Sequence, residues 1–156
     1  MNKTGIIIAL ISIIFIFSGC NSTKAFLDTK IKSDDIDKIQ IVLSMGNPKY
    51  GADSKIITDK DEIKKIVDAF NNAAIGKQVK DEDVQVAAAA TYYFYNGSSL
   101  IHQFSFNGND TERIWLDSKC YYIKYADSSP YKLYQESKAK EIVVDENLTE
   151  IERPQE

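Results

Sequence analysis

The chain predicts an α+β fold: a mainly antiparallel sheet of about six strands, one amphipathic helix packed on a face, and a second helix towards the C terminus. Three observations carry this expectation. Ile63, Ile66, Val67 and Phe70 form an apolar stripe at helical spacing, directly after the capping signal Thr58-Asp59. Asn96-Gly97 is hairpin turn chemistry, and it joins an aromatic run to an alternating one. The strand-like segments are separated mostly by short turns, which favours antiparallel neighbours.

In order along the chain, Ile39, Ile41 and Leu43 alternate with Lys38, Gln40 and Ser44, and only Val42 interrupts the polar side of this first strand. Asn47-Pro48-Lys49-Tyr50-Gly51 supplies a turn, with proline setting φ and glycine open to positive φ, and residues 55–57 return antiparallel. Asp59 stands three residues before Glu62 in capping-box spacing, and these early carboxylates suit the positive end of a helix dipole. Lys60, Lys64, Lys65 and Asp68 then face water, with Gly76 as the expected stop. Residues 77–83 are charged and aperiodic, so they read as a loop.

The next segment carries two opposed preferences. Ala87-Ala88-Ala89-Ala90 favours helix and Tyr92-Tyr93-Phe94-Tyr95 favours strand. Asn96-Gly97 decides for a strand from about Ala88, because Leu100, His102, Phe104 and Phe106 alternate with Ile101, Gln103 and Ser105 beyond it. A turn at Asn107-Gly108-Asn109-Asp110 follows, then a strand pair, residues 113–116 and 120–125, around Asp117-Ser118-Lys119. Ser128-Ser129-Pro130 opens a second helix expected to reach about Lys140, with a thin stripe at Leu133 and Tyr134 and i,i+4 spacing of Glu136 and Lys140. Ile142-Val143-Val144 adds a short strand, and residues 145–156 form an acidic tail expected to fray.

The first twenty residues follow other rules. Lys3 precedes a mainly apolar stretch from Ile6 to Phe17, then come Ser18, Gly19 and Cys20. A spanning helix needs about 20 apolar residues; this run is shorter and ends in a polar stretch rather than a basic stop signal. Phe17-Ser18-Gly19 fits an ordinary A-x-A cleavage site poorly. Two small residues before a cysteine resemble the bacterial lipobox, with Phe17 standing where leucine is usual. The resemblance implies that residues 1–19 are a lipoprotein signal peptide and that Cys20 receives a thioether-linked diacylglycerol. The mature protein would then be held on the extracytoplasmic face of the cell membrane, each buried methylene contributing about 0.8 kcal/mol. On this reading residues 20–33 are the lipidated cysteine and a polar tether, 34–144 a single domain and 145–156 the tail.

Composition narrows the function classes. The chain has 19 Lys+Arg against 23 Asp+Glu, a net charge of −4, which becomes −5 without Lys3. An acidic body disfavours nucleic-acid binding, which replaces phosphate counterions with basic side chains. Lys24, Lys30 and Lys32 in the tether would be drawn towards anionic headgroups. With Cys20 lipidated, Cys120 has no partner for an internal disulfide, so packing must hold the domain. A composition 44% hydrophobic and 27% charged is that of a globular protein with a core.

Chemistry-bearing residues are sparse. His102 is the only histidine, which excludes sites that need two, and no G-x-S-x-G, H-E-x-x-H or G-x-x-x-x-G-K motif occurs. Cys120 with His102 is the one nucleophile pair to weigh for a surface enzyme. No third group orients it, and Tyr121, Tyr122 and Ile123 beside the thiol suggest strand packing, so no catalytic residues are expected. The acidic clusters at residues 34–37, 59–62 and 81–83 suit a tether end, a helix start and a loop. Residues 107–112 lack the spacing of a calcium loop, so neither metal nor cofactor is expected.

Aromatic residues give the positive lead. If Tyr92 and Phe94 face the helix, Tyr93 and Tyr95 face away, and the second hairpin adds either Tyr121 with Tyr125 or else Tyr122. Tyr93, Tyr95, Tyr121 and Tyr125 form the candidate binding surface, while cross-strand packing is the plainer account of the same residues. The leader, tether and strand-helix-hairpin order look like the many small lipoproteins of Gram-positive bacteria whose roles are not assigned. A tethered aromatic sheet without a catalytic constellation favours a non-catalytic binding or envelope-interaction domain, its partners the membrane and a peptide or envelope protein. A narrower alternative is an immunity-type lipoprotein that sequesters a lantibiotic peptide; no residue motif carries it.

Overall fold

The structure, a computed structural model, describes residues 24–44, 51–80, 89–107, 113–116 and 118–152. Cys20 and the turns expected at residues 47–50 and 108–110 lie outside them. The fold is α+β, and among the described residues it has two α-helices, α1 (Lys60–Asn71) and α2 (Pro130–Glu136), and a 3-10 turn at Ser33–Asp35. The strands are β1 (Lys24–Ala25), β2 (Lys38–Ser44), β3 (Ala52–Ile57), β4 (Ala74–Gln78), β5 (Ala89–Asn96), β6 (Ser99–Asn107), β7 (Arg113–Leu116), β8 (Lys119–Lys124), β9 (Glu141–Val144) and β10 (Glu150–Ile151). They form one sheet in the order β1-β4-β8-β7-β6-β5-β2-β3-β9-β10, antiparallel at every described pairing.

Ten described strands replace the expected six or so, and β1, β4 and β10 are not among the segments read as strands. β4 was expected to be a helix stop and a loop. Instead α1 ends at Asn71, and the Asn72 amide bonds the Asp68 carbonyl. Gly76 sits inside β4, where a Cβ would come 3.3 Å from the Tyr122 carbonyl oxygen. The glycine permits close strand approach; it does not end the helix.

Both ends of the domain reach further than expected. Lys24 and Ala25 pair with Ile75 and Ala74, and the Phe26 amide bonds Ala73 O at 3.0 Å. Phe26 and Ile31 enter the core. Asn71 brackets Ile31 by accepting from its amide and donating to its carbonyl, both at 2.8 Å, so one side chain replaces a strand partner. The segment read as tether is therefore folded from Lys24 onwards. At the other end Glu150 and Ile151 pair with Val144 and Val143, and Asp145 Oδ1 accepts from Asn147 N and Thr149 N in the connecting turn. This hairpin takes up residues expected to fray.

The core lies between the helices and one face of the sheet. Asp59 caps α1, accepting from the amides of Asp61 and Glu62 at 3.0 Å. Glu62 does not return to Asp59 as a capping box requires; it accepts from Ser137 Oγ at 2.8 Å and Lys138 N at 3.2 Å, tying α1 to the end of α2. Ile63, Ile66, Val67 and Phe70 are all buried, as the stripe predicts. Ser129 caps α2 with Pro130 in its first turn, but the helix stops at Glu136 rather than near Lys140. Glu136 pairs with Lys65 at 2.6 Å and Lys132 at 3.7 Å, so the expected pairing with Lys140 gives way to a bridge between helices. The Asn96-Gly97 turn forms as predicted, Gly97 at φ +58° donating its amide to Asp37 Oδ2 at 2.6 Å.

Candidate functional site

Strand register assigns each side chain to a face, because residues directly opposite one another in an antiparallel pair share a side. Ile39 faces Phe94 and Ile41 faces Tyr92, all buried towards the helices. The residues between them point to the far side. There Lys38, Tyr95 and Leu100 form one cross-strand row, and Ile56, Gln40, Tyr93 and Gln103 form another. Both helices pack against the other face, where Leu133 and Tyr134 of α2 join the core cluster of Phe70, Tyr92 and Phe94. No described helix covers the far face.

The candidate surface of Tyr93, Tyr95, Tyr121 and Tyr125 is divided by this register. Tyr93 and Tyr95 lie on the far face, half-buried. Tyr121 stands opposite the fully buried Ile114 and packs against the core, and the ring of Tyr125 lies 6.3 Å from that of Phe106. Tyr122, opposite Arg113, takes the far side instead. The physical reason is the apolar phase of β7: burying Ile114 fixes the whole β7–β8 pair, and adjacent tyrosines cannot share a face.

The far face has members that alternation did not single out. Ile56, Leu100 and Trp115 are 42%, 49% and 40% exposed, which makes them its accessible apolar area. Leu100 was expected beside His102, but a register shift between Phe94 and Tyr95 pairs it with Tyr95. Trp115 could have been found, since it sits between Ile114 and Leu116 and must oppose them. Cations sit over two of the tyrosines, Lys38 Nζ 4.1 Å from the Tyr95 ring centre and Lys77 Nζ 5.8 Å from that of Tyr122. Burial, with Tyr95 nearby, pushes the Tyr93 hydroxyl above its ordinary range, so it remains a neutral donor at physiological pH.

Cys120 and His102 are not brought together. His102 is opposite Phe94 on the helix face and stacks on Phe104, ring centres 6.0 Å apart at 16°. Cys120 is opposite Trp115 on the far face and only 3% exposed. Burial pushes its thiol up, against a smaller downward pull from Arg113. A raised pKa leaves the thiol protonated at neutral pH, and a protonated thiol is a poor nucleophile. Native Cys120 should therefore react with a disulfide reagent at least about tenfold more slowly than in urea, followed as thiolate release; equal rates would mean an open, activated thiol. Among the described residues no group of three His, Cys, Asp or Glu is placed to hold a metal ion.

No protein-family model, curated protein or solved structure matches the chain. The functional reading rests on its own residues.

Proposed function

We propose that this protein is a membrane-anchored extracytoplasmic lipoprotein whose folded part is a non-catalytic binding domain for a peptide or envelope protein. The anchor reading rests on Phe17-Ser18-Gly19-Cys20. The binding reading rests on one observation: Tyr93 and Tyr95, with Ile56 and Leu100 beside them, occupy a sheet face that no described helix covers. Tyrosine offers rigid contact area with a polar tip, which suits recognition.

The anchor also has a geometric consequence. Because β1 starts at Lys24, at most about 14 Å of extended chain separates it from a lipid-bearing Cys20. The β1 edge of the sheet would then lie against the bilayer, where exposed Lys24, Lys30 and Lys32 meet anionic headgroups.

The test uses the full chain in cells. Wild type should take up lipid label and lose its leader, while Cys20→Ala stays unlabelled and uncleaved; an unlabelled wild type ends the anchor reading. A photo-cross-linking side chain at Tyr93 should capture a partner that the same group at Glu146, exposed in the β9–β10 turn, does not. Equal capture from both positions would remove the far face as the binding surface.

A further inference from the structure

A groove of about 380 Å³ opens between the solvent side of α1 and the segment that leads into α2. It lies across the fold from the tyrosine face, and its volume is within the range of small-molecule sites. Buried Ala69 and Leu133 line it, and its rim is charged.

The rim charges are unevenly matched. Lys64 is engaged by Asp68 at 2.5 Å and Lys65 by Glu136 at 2.6 Å. Asp61 and Asp127 also line the groove, and among the described residues neither carboxylate has an ion pair or a side-chain hydrogen bond. Beside them Ser128 is only 8% exposed, yet among the described residues its hydroxyl has no hydrogen-bond partner. Buried hydroxyls are ordinarily bonded, so an open one lining a groove marks a place for an outside group.

We infer that the groove binds a primary alkylammonium group, as carried by a short diamine or by the lysine side chain of a basic peptide. The ammonium is all donor: its charge answers Asp61 and Asp127, and Ser128 Oγ accepts a hydrogen bond from it. The carbon stem lies on Ala69 and Leu133, as long cationic side chains lie on apolar surface. A metal ion is the poorer match, because no described cluster of three ligating side chains exists and an apolar lining suits carbon.

The experiment takes the full chain in non-ionic detergent and titrates it with 1,5-diaminopentane, with tetralysine and with glutarate as an anionic control. Saturable binding of at least one amine is expected. It should weaken at least about tenfold in the Asp61→Asn/Asp127→Asn double variant, and less in Ser128→Ala. It should also weaken between about 50 mM and about 500 mM salt. Both carboxylates are exposed, so the urea midpoint of the double variant should fall only slightly, by the loss of Asp61 from the first turn of α1; if it falls further, Asp127→Asn alone decides, and unchanged binding by that variant overturns the assignment. Binding of the diamine alone assigns the site to free amines, and tighter binding of tetralysine assigns it to basic peptides. Absence of saturable amine binding, equal binding by the double variant, or equal binding of glutarate would overturn the assignment.

Discussion

Phe70→Ala is expected to destabilise the domain by about 3–5 kcal/mol, the cost of emptying a large aromatic site from a packed core. Phe70 is 1% exposed at the last turn of α1. Its ring centre lies 5.1 Å from that of Tyr92, 5.2 Å from Phe94, 5.3 Å from Phe104 and 5.4 Å from Phe106, with Phe26 at 6.2 Å. These rings come from β5, from β6 and from the segment after β1, so the cavity would open where three parts of the chain meet. The rings are anchored by their own backbones and cannot collapse far, which places the cost towards the upper end. Lys64→Ala is the control, since its pair with Asp68 is exposed and screened. Urea midpoints decide the matter, and equal midpoints for the two variants would show that Phe70 is not the centre of the core.

Lys55→Met should cost about 2–4 kcal/mol, because it removes two charge-assisted hydrogen bonds while keeping the apolar stem. Lys55 is on the helix side of β3, opposite Ile41 and Glu141, and is only 9% exposed. Its Nζ donates to Tyr134 O at 3.0 Å and Ser137 O at 2.9 Å, and lies 4.8 Å from the Tyr134 ring centre. The last carbonyls of a helix have no partner within it and carry the negative end of its dipole, so a cation there both satisfies and stabilises them. α2 has only seven residues and would be marginal without such a clamp. Dehydrating the ammonium opposes these gains. Loss of urea stability together with faster amide exchange in α2 would establish the clamp; a variant as stable as wild type would mean that dehydration cancels it. Lys132→Met, on the exposed side of α2, should stay within about 0.5 kcal/mol.

Local signals match the structure where the forces are local. Asp59 caps α1 through amides two and three residues away, and the stripe of α1 needs only one helix and one apolar side. The Asn96-Gly97 turn carries its own backbone preference. The division of Tyr92 and Phe94 from Tyr93 and Tyr95 follows from alternation along a single strand. The separation of Cys120 from His102 was less visible, because it needs the phase of β8 relative to β6, which runs through β7.

The chain by itself determined the fold class, the inward face of α1 and the main hairpin, since each depends on residues within about one turn or one strand of each other. Tertiary structure decided the rest. β1, β4 and β10 exist because partners complete their hydrogen bonds; their own residues carry too little apolar period to show it. Tyr121 turns inward because Ile114 is buried opposite it, and Leu100 turns outward because one residue of register is lost at Tyr95. Lys55, of a residue type seldom buried, points inward because the carbonyls at the end of α2, some eighty residues later, need a donor there. Pairing across the sheet and the satisfaction of buried polar groups join residues distant in sequence, and no local pattern records them.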